Sequence, residues 1–360
     1  MIAQIGRYFW RKLLIPYFLM RRLTVNLIAS SSFYNKQVYD RGFKIFERTG
    51  VTPEESYQAL IKLYCNTNGR FNEEMHKKII TSSPARMADA SSESIIGRCD
   101  EVKLNDLNKE LNDNGYVMFE KKLSAEMCSR LYAFALKTPA SVGESKILYN
   151  PAQPISEIYR FDINDLMNSE DIQALVMDPG LINIARKYLE CEPIFDFPAL
   201  WWSTSFLKNA SSRAAQLYHF DMDRIKWLKV FIYINDVNPE NGPHCYIRGS
   251  HKPGSKPLEL LKRGYVRIDD PDLHKFYKQE DFISVTGDAG SIFAGDTRCW
   301  HKGTPLKEGH RLALELEYTS SRFGGNYPPM IITKCSSEFR QFCARNQRYA
   351  SAIQFQDKLN

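Results

Sequence analysis

The chain has 360 residues, 43% of them hydrophobic, enough to bury a full core in one large domain with an appendage or in two smaller domains. Its net charge of +6 resides in residues 1–39, which contain Arg7, Arg11, Lys12, Arg21, Arg22 and Lys36 and no Asp or Glu. The remainder is neutral overall, so net charge supports neither a nucleic-acid partner nor an anionic substrate. The 8 cysteines are scattered without a C-x-x-C pair, which fits neither a disulfide framework nor a zinc knuckle and reads as reduced thiols of a cytoplasmic protein.

The opening "RYFWRKLLIPYFLMRRL" is apolar, but basic residues and Pro16 interrupt it well short of the ~20 apolar residues a spanning helix needs. On a helical wheel Arg7, Arg11, Arg21 and Arg22 fall within roughly 100°, which suits peripheral contact of residues 1–39 with an anionic membrane. A first helix packed on the domain is an equal reading, and the acid-free, Arg- and Ser-bearing start also resembles an organellar transit peptide. In "GVTPEESYQALIKLYC", Thr52 is a candidate N-cap with Pro53 at the first helical position and Glu55 completing a capping box. A second helix through "NEEMHKKII" carries His76 between charged neighbours and is expected to expose it. Residues 81–94, rich in Ser and Ala, read as a linker. The chain thus divides into a helical extension and linker at 1–95, a main domain at 96–335 and a helical tail at 336–360.

Past the linker come a helix, an Asn-Gly turn, a short strand "YVMFE" and a helix capped by Ser124. From about residue 195 the texture changes to short β-branched and aromatic runs, among them "ALWWSTSF", "KVFIYINDV", "HCYIRGSH" and "RLALELEYTSS". Many short strands without alternating helices predict a sandwich or barrel, not a parallel sheet. Trp201 and Trp202 read as core, with one of them a candidate for a pocket wall. "SEIYRFDIND" reads as a connecting strand, with Tyr159 and Arg160 reaching over the barrel mouth as the alternative.

The chemistry concentrates in "LYHFDMD", residues 217–223. In a strand, His219 and Asp221 project from one face while Phe220 points away, which offers an imidazole nitrogen and a carboxylate oxygen side by side. A third histidine would complete the two-histidine, one-carboxylate set that suits Fe(II) and leaves positions open. The candidates are His76, His244, His251, His274, His301 and His310, and we select His301. It follows the glycine-bounded "DAGSIFAGDTRCW", and Arg311 opens the next strand. A dicarboxylate co-substrate that chelates iron at one end needs a fixed cation at the other, and arginine offers a planar fork. His244 and His251, in "NGPHCYIRGSHKPG", read as loop-shaping residues, and His274 and His310 as surface residues. Asp223 lies on the same nominal face as Asp221 and stays open as the ligand.

"YHFD", "VFIYINDVNPENGPHCYIRGSHKPG" and "GDAGSIFAGDTRCWHKGTP…HRLALELEY", in this order, resemble the phytanoyl-CoA dioxygenase family of iron(II)- and 2-oxoglutarate-dependent oxygenases, with "NDNGYVMFEKKLSAEMCSRL" matching its usual entry. The likeness covers roughly residues 101–322. It implies an α+β, mainly β fold: a double-stranded β-helix, the cupin-like jelly roll, with flanking helices and here an N-terminal helical extension. It also implies His219, Asp221 and His301 as iron ligands, Arg311 as the 2-oxoglutarate anchor, and Asp221 rather than Asp223 as the carboxylate. Members often carry a small hydroxyl residue two positions after the distal histidine. This chain has Gly303 there, leaving the adjacent Thr304 as the candidate co-substrate contact. The expected reactants are Fe(II), 2-oxoglutarate, dioxygen, a small-molecule or lipid-like substrate and, as an accessory, ascorbate. Hydroxylation with release of succinate and carbon dioxide is the expected outcome, since a related chlorinating subclass lacks the carboxylate ligand. Desaturation or cyclisation by the same chemistry, or an inactive binding module, are the alternatives. A monomer or homodimer without nucleic acid is expected.

Overall fold

The computed structural model describes residues 31–85, 93–98 and 100–356. Most of the basic N-terminal segment, and with it the surface-helix reading, lies outside the described residues, as does part of the 81–94 linker. Three helices, Ser32–Thr49, Glu54–Thr67 and Arg70–Ser82, come first. The second begins one residue later than its sequence predicts: Pro53 takes the cap position, and Thr52 instead accepts a hydrogen bond from Gly324 N–H on its hydroxyl at 3.1 Å. Further helices span Glu101–Asn114, Ala125–Lys137 and Pro179–Leu189. The Asn-Gly turn is the end of the first of these, where Gly115 adopts a left-handed φ of 85°. A Cβ there would strike Cys299 and His251, so this position is closed to other residues. Ser124 caps the 125–137 helix through Met127 N–H, as predicted.

The strands, in chain order, are β1 (Tyr116–Met118), β2 (Ala140–Val142), β3 (Ser145–Ile147), β4 (Ile158–Arg160), β5 (Ile194–Thr204), β6 (Trp227–Tyr233), β7 (His244–Ile247), β8 (Phe282–Val285), β9 (Ile292–Gly295), β10 (His301–Gly303), β11 (His310–Thr319), β12 (Met330–Ile332) and β13 (Ile353–Phe355). Eight form a large sheet in the order β1-β9-β6-β11-β5-β4-β2-β3, and β10-β7-β8 form a smaller one facing it. All pairs within these two sheets are antiparallel, and β8, β9, β10 and β11 alternate between them, as in a double-stranded β-helix. The tail from 336 holds one helix, Ser337–Arg345, and then returns as β13 to pair with β12.

β6 and β11 are buried along almost their whole length because both faces of the large sheet are covered. Leu104, Leu111, Leu131, Leu181 and Ile184 of the helices pack on its outer face. Between the sheets sit Phe231, Tyr233, Tyr246 and Phe293, with the Phe231 and Phe293 rings stacked at 4.9 Å. The N-terminal helices join the same body. Tyr64 meets Phe220 at 5.1 Å between ring centroids, and Asn72 donates to the Ile225 carbonyl. Among the described residues no helix is long and apolar enough to cross a membrane.

His76 is not solvated, as its charged neighbours suggest, but buried at 2% exposure with Nδ1 3.2 Å from Ser320 Oγ. The helix turns Lys77 and Lys78 outward and this residue inward, and burial, helped by Lys226 and Arg298, lowers its pKa to about 3. An unfolded chain takes up that proton near pH 6.5 while the folded one resists it to about 3, so stability is full above 6.5 and falls as pH drops through this window. Comparison of urea unfolding at pH 7 and pH 5 should show the H76Q variant losing about 2 kcal/mol less than wild type on acidification. An identical loss in both would place the acid sensitivity elsewhere.

Candidate functional site

His219 and His301 belong to segments that pair with each other. His219 N–H donates to the His301 carbonyl at 3.0 Å, and His301 N–H donates to the His219 carbonyl at 2.8 Å. Asp221 follows on the same face, while Phe220 turns away to pack at 5.0 Å from Trp300. The turn before His301 holds both ends of the arrangement. Thr297 accepts from Asp221 N–H at 2.8 Å through its carbonyl, and its hydroxyl accepts from Trp227 Nε1 at 2.7 Å. Arg298 is clamped by Asp296 at 2.6 Å and by Glu73 of the third N-terminal helix at 2.8 Å, which locks that helix to the turn.

The Nε2 atom of His219 lies 3.5 Å from Asp221 Oδ1 and that of His301 lies 3.7 Å from Asp221 Oδ2. One ligand atom from each residue falls within 4.8 Å of the others. The two Nδ1 atoms each lie 3.0 Å from a backbone carbonyl, those of Leu217 and Cys299. A carbonyl only accepts, so each Nδ1 carries the proton and each Nε2 presents a lone pair to the common point. Burial, reinforced by the neighbouring His301, lowers the His219 pKa to about 3, and burial lowers that of His301 as well. Two neutral imidazoles and one carboxylate are a donor set that fits a divalent first-row metal.

Asp221 stays ionised against the burial that opposes its charge, because Lys229 of β6 donates to Oδ2 at 3.0 Å. Lys229 is itself buried and also stands 3.3 Å from Glu315 and from Glu317, the latter directly opposite it in the β6–β11 register. Burial pushes both glutamates above the usual carboxylate range, so the ammonium is shared with groups held toward their neutral form and pairs chiefly with Asp221. Asp223 does not join the cluster. Its carboxylate accepts from the Tyr327 hydroxyl at 3.0 Å, and of the two aspartates Asp221 is the one that lies with His219 and His301.

These residues open onto a cavity of about 270 Å³ whose walls include Trp201, Phe231, His244, Gly303 and Arg311. Arg311 is buried, with one terminal nitrogen donating to the Gly242 carbonyl and the other to Ser203 Oγ at 3.1 Å. Its Nε is buried without a partner, an orphan donor beside the cavity. A Cβ at Gly303 would come within 3.3 Å of the guanidinium, so the glycine leaves the fork room and Ser203 of β5 provides a hydroxyl that the stretch after His301 lacks.

Thr304 is not brought to this cavity. His301 and Gly303 face inward while Lys302 and Thr304 face the other side, and the Thr304 hydroxyl lies 3.2 Å from Cys245 Sγ on a separate surface depression. His244 is not a loop-shaping residue but a buried member of β7, stacked on Tyr233 in the cavity wall. His310 opens β11 and contacts the Tyr132 hydroxyl at 2.9 Å, whereas His274 is exposed as predicted. Of the two tryptophans, Trp202 is core and Trp201 lines the cavity. Ser203, Lys229 and Glu315 escape reading along the chain. For Lys229 a signal exists, a single cation inside the otherwise apolar "WLKVFIY".

A jelly roll that gathers two histidines and an aspartate at its open end has the architecture of the mononuclear non-haem iron oxygenases. The family model of phytanoyl-CoA dioxygenase (PhyH) matches residues 111–311, more than half of the chain, and the chain belongs to that family of iron- and 2-oxoglutarate-dependent oxidoreductases. Solved structures with a similar course include EctD from S. alaskensis, at 16% identity over 76% of this chain and 98% of that one, with a TM-score of 0.47. HygX from Streptomyces hygroscopicus, solved with nickel and 2-oxoglutarate, is 16% identical over 67% of this chain and 94% of its own, with a TM-score of 0.43. The epimerase SnoN, in complex with Fe3+, alpha ketoglutarate and nogalamycin RO, is 16% identical over 61% and 84%, also with a TM-score of 0.43. No curated protein matches the chain.

Removing Lys229 strands an ionised, largely enclosed Asp221 at the cavity wall. Urea unfolding of K229M should show a loss of about 3–5 kcal/mol, and the K229M/D221N double variant, which removes both charges, should recover most of it. Additive losses in the double variant would mean that the two side chains are not coupled.

Proposed function

We propose that His219, Asp221 and His301 hold Fe(II), that Arg311 receives the distal carboxylate of 2-oxoglutarate, and that the enzyme hydroxylates an aliphatic carbon of a small-molecule or lipid-like substrate. The observation that carries this reading is the convergence of two backbone-oriented Nε2 atoms and one Lys229-paired carboxylate within 4.8 Å. When bound, iron and 2-oxoglutarate supply the oxidation, in which dioxygen is consumed, succinate and carbon dioxide are released, and a substrate C–H bond is oxidised.

The chain's own residues set the conditions for that chemistry. The Leu217 and Cys299 carbonyls hold both imidazoles in the tautomer that can bind metal, and Lys229 keeps Asp221 ionised in a buried position. The orphaned Nε and the two terminal nitrogens make Arg311 a fork for a carboxylate that replaces its present backbone contact. His244, kept neutral by burial and by the adjacent Arg311, adds a polar but uncharged wall. Trp201, Phe231 and the alanines of the cavity exclude water from the remaining face, where an aliphatic carbon would lie.

Anaerobic addition of Fe(II) and 2-oxoglutarate should produce the weak visible charge-transfer band of a chelated complex, and oxygen should then release succinate slowly even without substrate. H219A and D221A should abolish both signals, while D223A should leave them. R311A should weaken 2-oxoglutarate by about ten- to hundredfold, the equivalent of roughly 1.5–3 kcal/mol for a lost charge-assisted pair, while sparing iron. Wild-type protein that binds no iron and forms no succinate would sink the reading, and a band lost in D223A but kept in D221A would move the ligand two residues on.

A further inference from the structure

Two guanidiniums in the cavity wall stand apart from the residues proposed above for metal and co-substrate. Arg160 and Arg267 both line the same cavity as His219 and His301. Strand geometry aims each of them there. Tyr218 and Ile268 form an antiparallel bridge with hydrogen bonds of 3.0 and 2.8 Å in the two directions, which sets residue 267 opposite His219. Arg160 ends β4 in register with Trp201 of β5, and Ile158, two residues before it on the same face, also lines the cavity.

The cations around them are already engaged. Lys229 is surrounded by carboxylates, Arg311 by Gly242 and Ser203, and Arg213 by Glu157 at 2.7 Å. Arg160 has one hydrogen bond, to the Arg213 carbonyl at 3.0 Å, and no ion pair among the described residues. Arg267 has neither a hydrogen bond nor an ion pair among them. The cavity carboxylates, Asp221 and Glu315, are both taken by Lys229. Like charges gathered at one mouth, without a counter-ion, are a receptor for an anion.

We propose that the substrate is an organic anion, with a carboxylate or phosphate group held between Arg160 and Arg267 and an aliphatic part lying against Trp201 and Phe231 beside the metal position. This rests on the iron-oxygenase reading and names the substrate class of that same site. The neutral charge of the chain beyond residue 39 conceals the feature, because here location and not total charge makes the site.

The test uses the full chain with Fe(II) and 2-oxoglutarate under anaerobic conditions and two matched probe pairs, hexanoate with hexanamide and hexyl phosphate with hexanol. Calorimetry and the shift of the visible band report binding. At least one anion should bind tenfold or more tightly than its neutral partner, and the pair in which this happens tells a carboxylate site from a phosphate site. R160Q and R267Q should each reduce that preference about tenfold, whereas R267K should retain part of it. Equal binding within both pairs, or a preference intact in the R160Q/R267Q double variant, would overturn the proposal. So would a tenfold loss of 2-oxoglutarate affinity in R267Q, which would assign the arginines to the co-substrate. Failure of the iron reading is seen separately, as absence of the band before any probe is added. In that case calorimetry of the same pairs on the metal-free chain still decides whether the arginines select an anion.

Discussion

The site depends on one antiparallel bridge. The reciprocal hydrogen bonds between His219 and His301 make one rigid unit of two segments far apart in the chain and set their imidazoles at 4.2 Å between ring centroids. Every other element of the centre is placed relative to that bridge. Asp221 is carried by the period of the strand, Arg267 by the next bridge outward, and His244 by the β7–β10 register in which Gly303 lies opposite it. A shift of one residue in this pairing would turn His219 and Asp221 away from the face that His301 presents. The buried network of Asp296, Arg298, Glu73 and Tyr188 at the adjacent turn holds the register in place.

That network also explains how the N-terminal helices relate to the chemistry. They supply no residue to the group of His219, Asp221 and His301, yet Glu73 pairs with the turn before His301, Tyr64 packs on Phe220, and Lys256 donates to both Tyr64 and the Arg298 carbonyl. Phe220 and Trp300 are the outward-facing neighbours of His219, Asp221 and His301, and the extension covers the face they present. Burial there removes water from the back of the bridge, which strengthens its hydrogen bonds and keeps the imidazoles neutral. The extension thus supports the centre from behind, while the cavity opens on the opposite side.

Charge in this protein is organised on a scale that composition does not record. A lysine in the middle of an apolar strand neutralises a buried aspartate, two glutamates beside it are pushed toward the protonated form, and three arginines stand around one cavity. Each sits at a position set by strand register. Arg311 and Ser203 face each other across the β5–β11 pair, and their contact supplies from a neighbouring strand the hydroxyl that the residues after His301 do not offer.

The local order of residues determined the elements and the core of the centre. Strand period alone puts His219 and Asp221 on one face, the glycine-bounded run ahead of His301 and the position of Arg311 are legible by eye, and the short β-branched runs predict a sandwich or barrel, which the family resemblance narrows to a jelly roll. What only tertiary structure decided is which residues join from elsewhere. Asp223 is drawn off by Tyr327, Thr304 faces away because His301 and Gly303 face in, and His76 is buried beside Ser320 in spite of its charged flanks. Ser203 and Arg267 enter through cross-strand pairing, a relation between segments with no trace in either segment alone, and the same pairing decides where Lys229 and Arg160, each noticeable in its own segment, are brought. Periodicity is a property of consecutive residues, whereas register is a property of two strands at once, and this site is built from both.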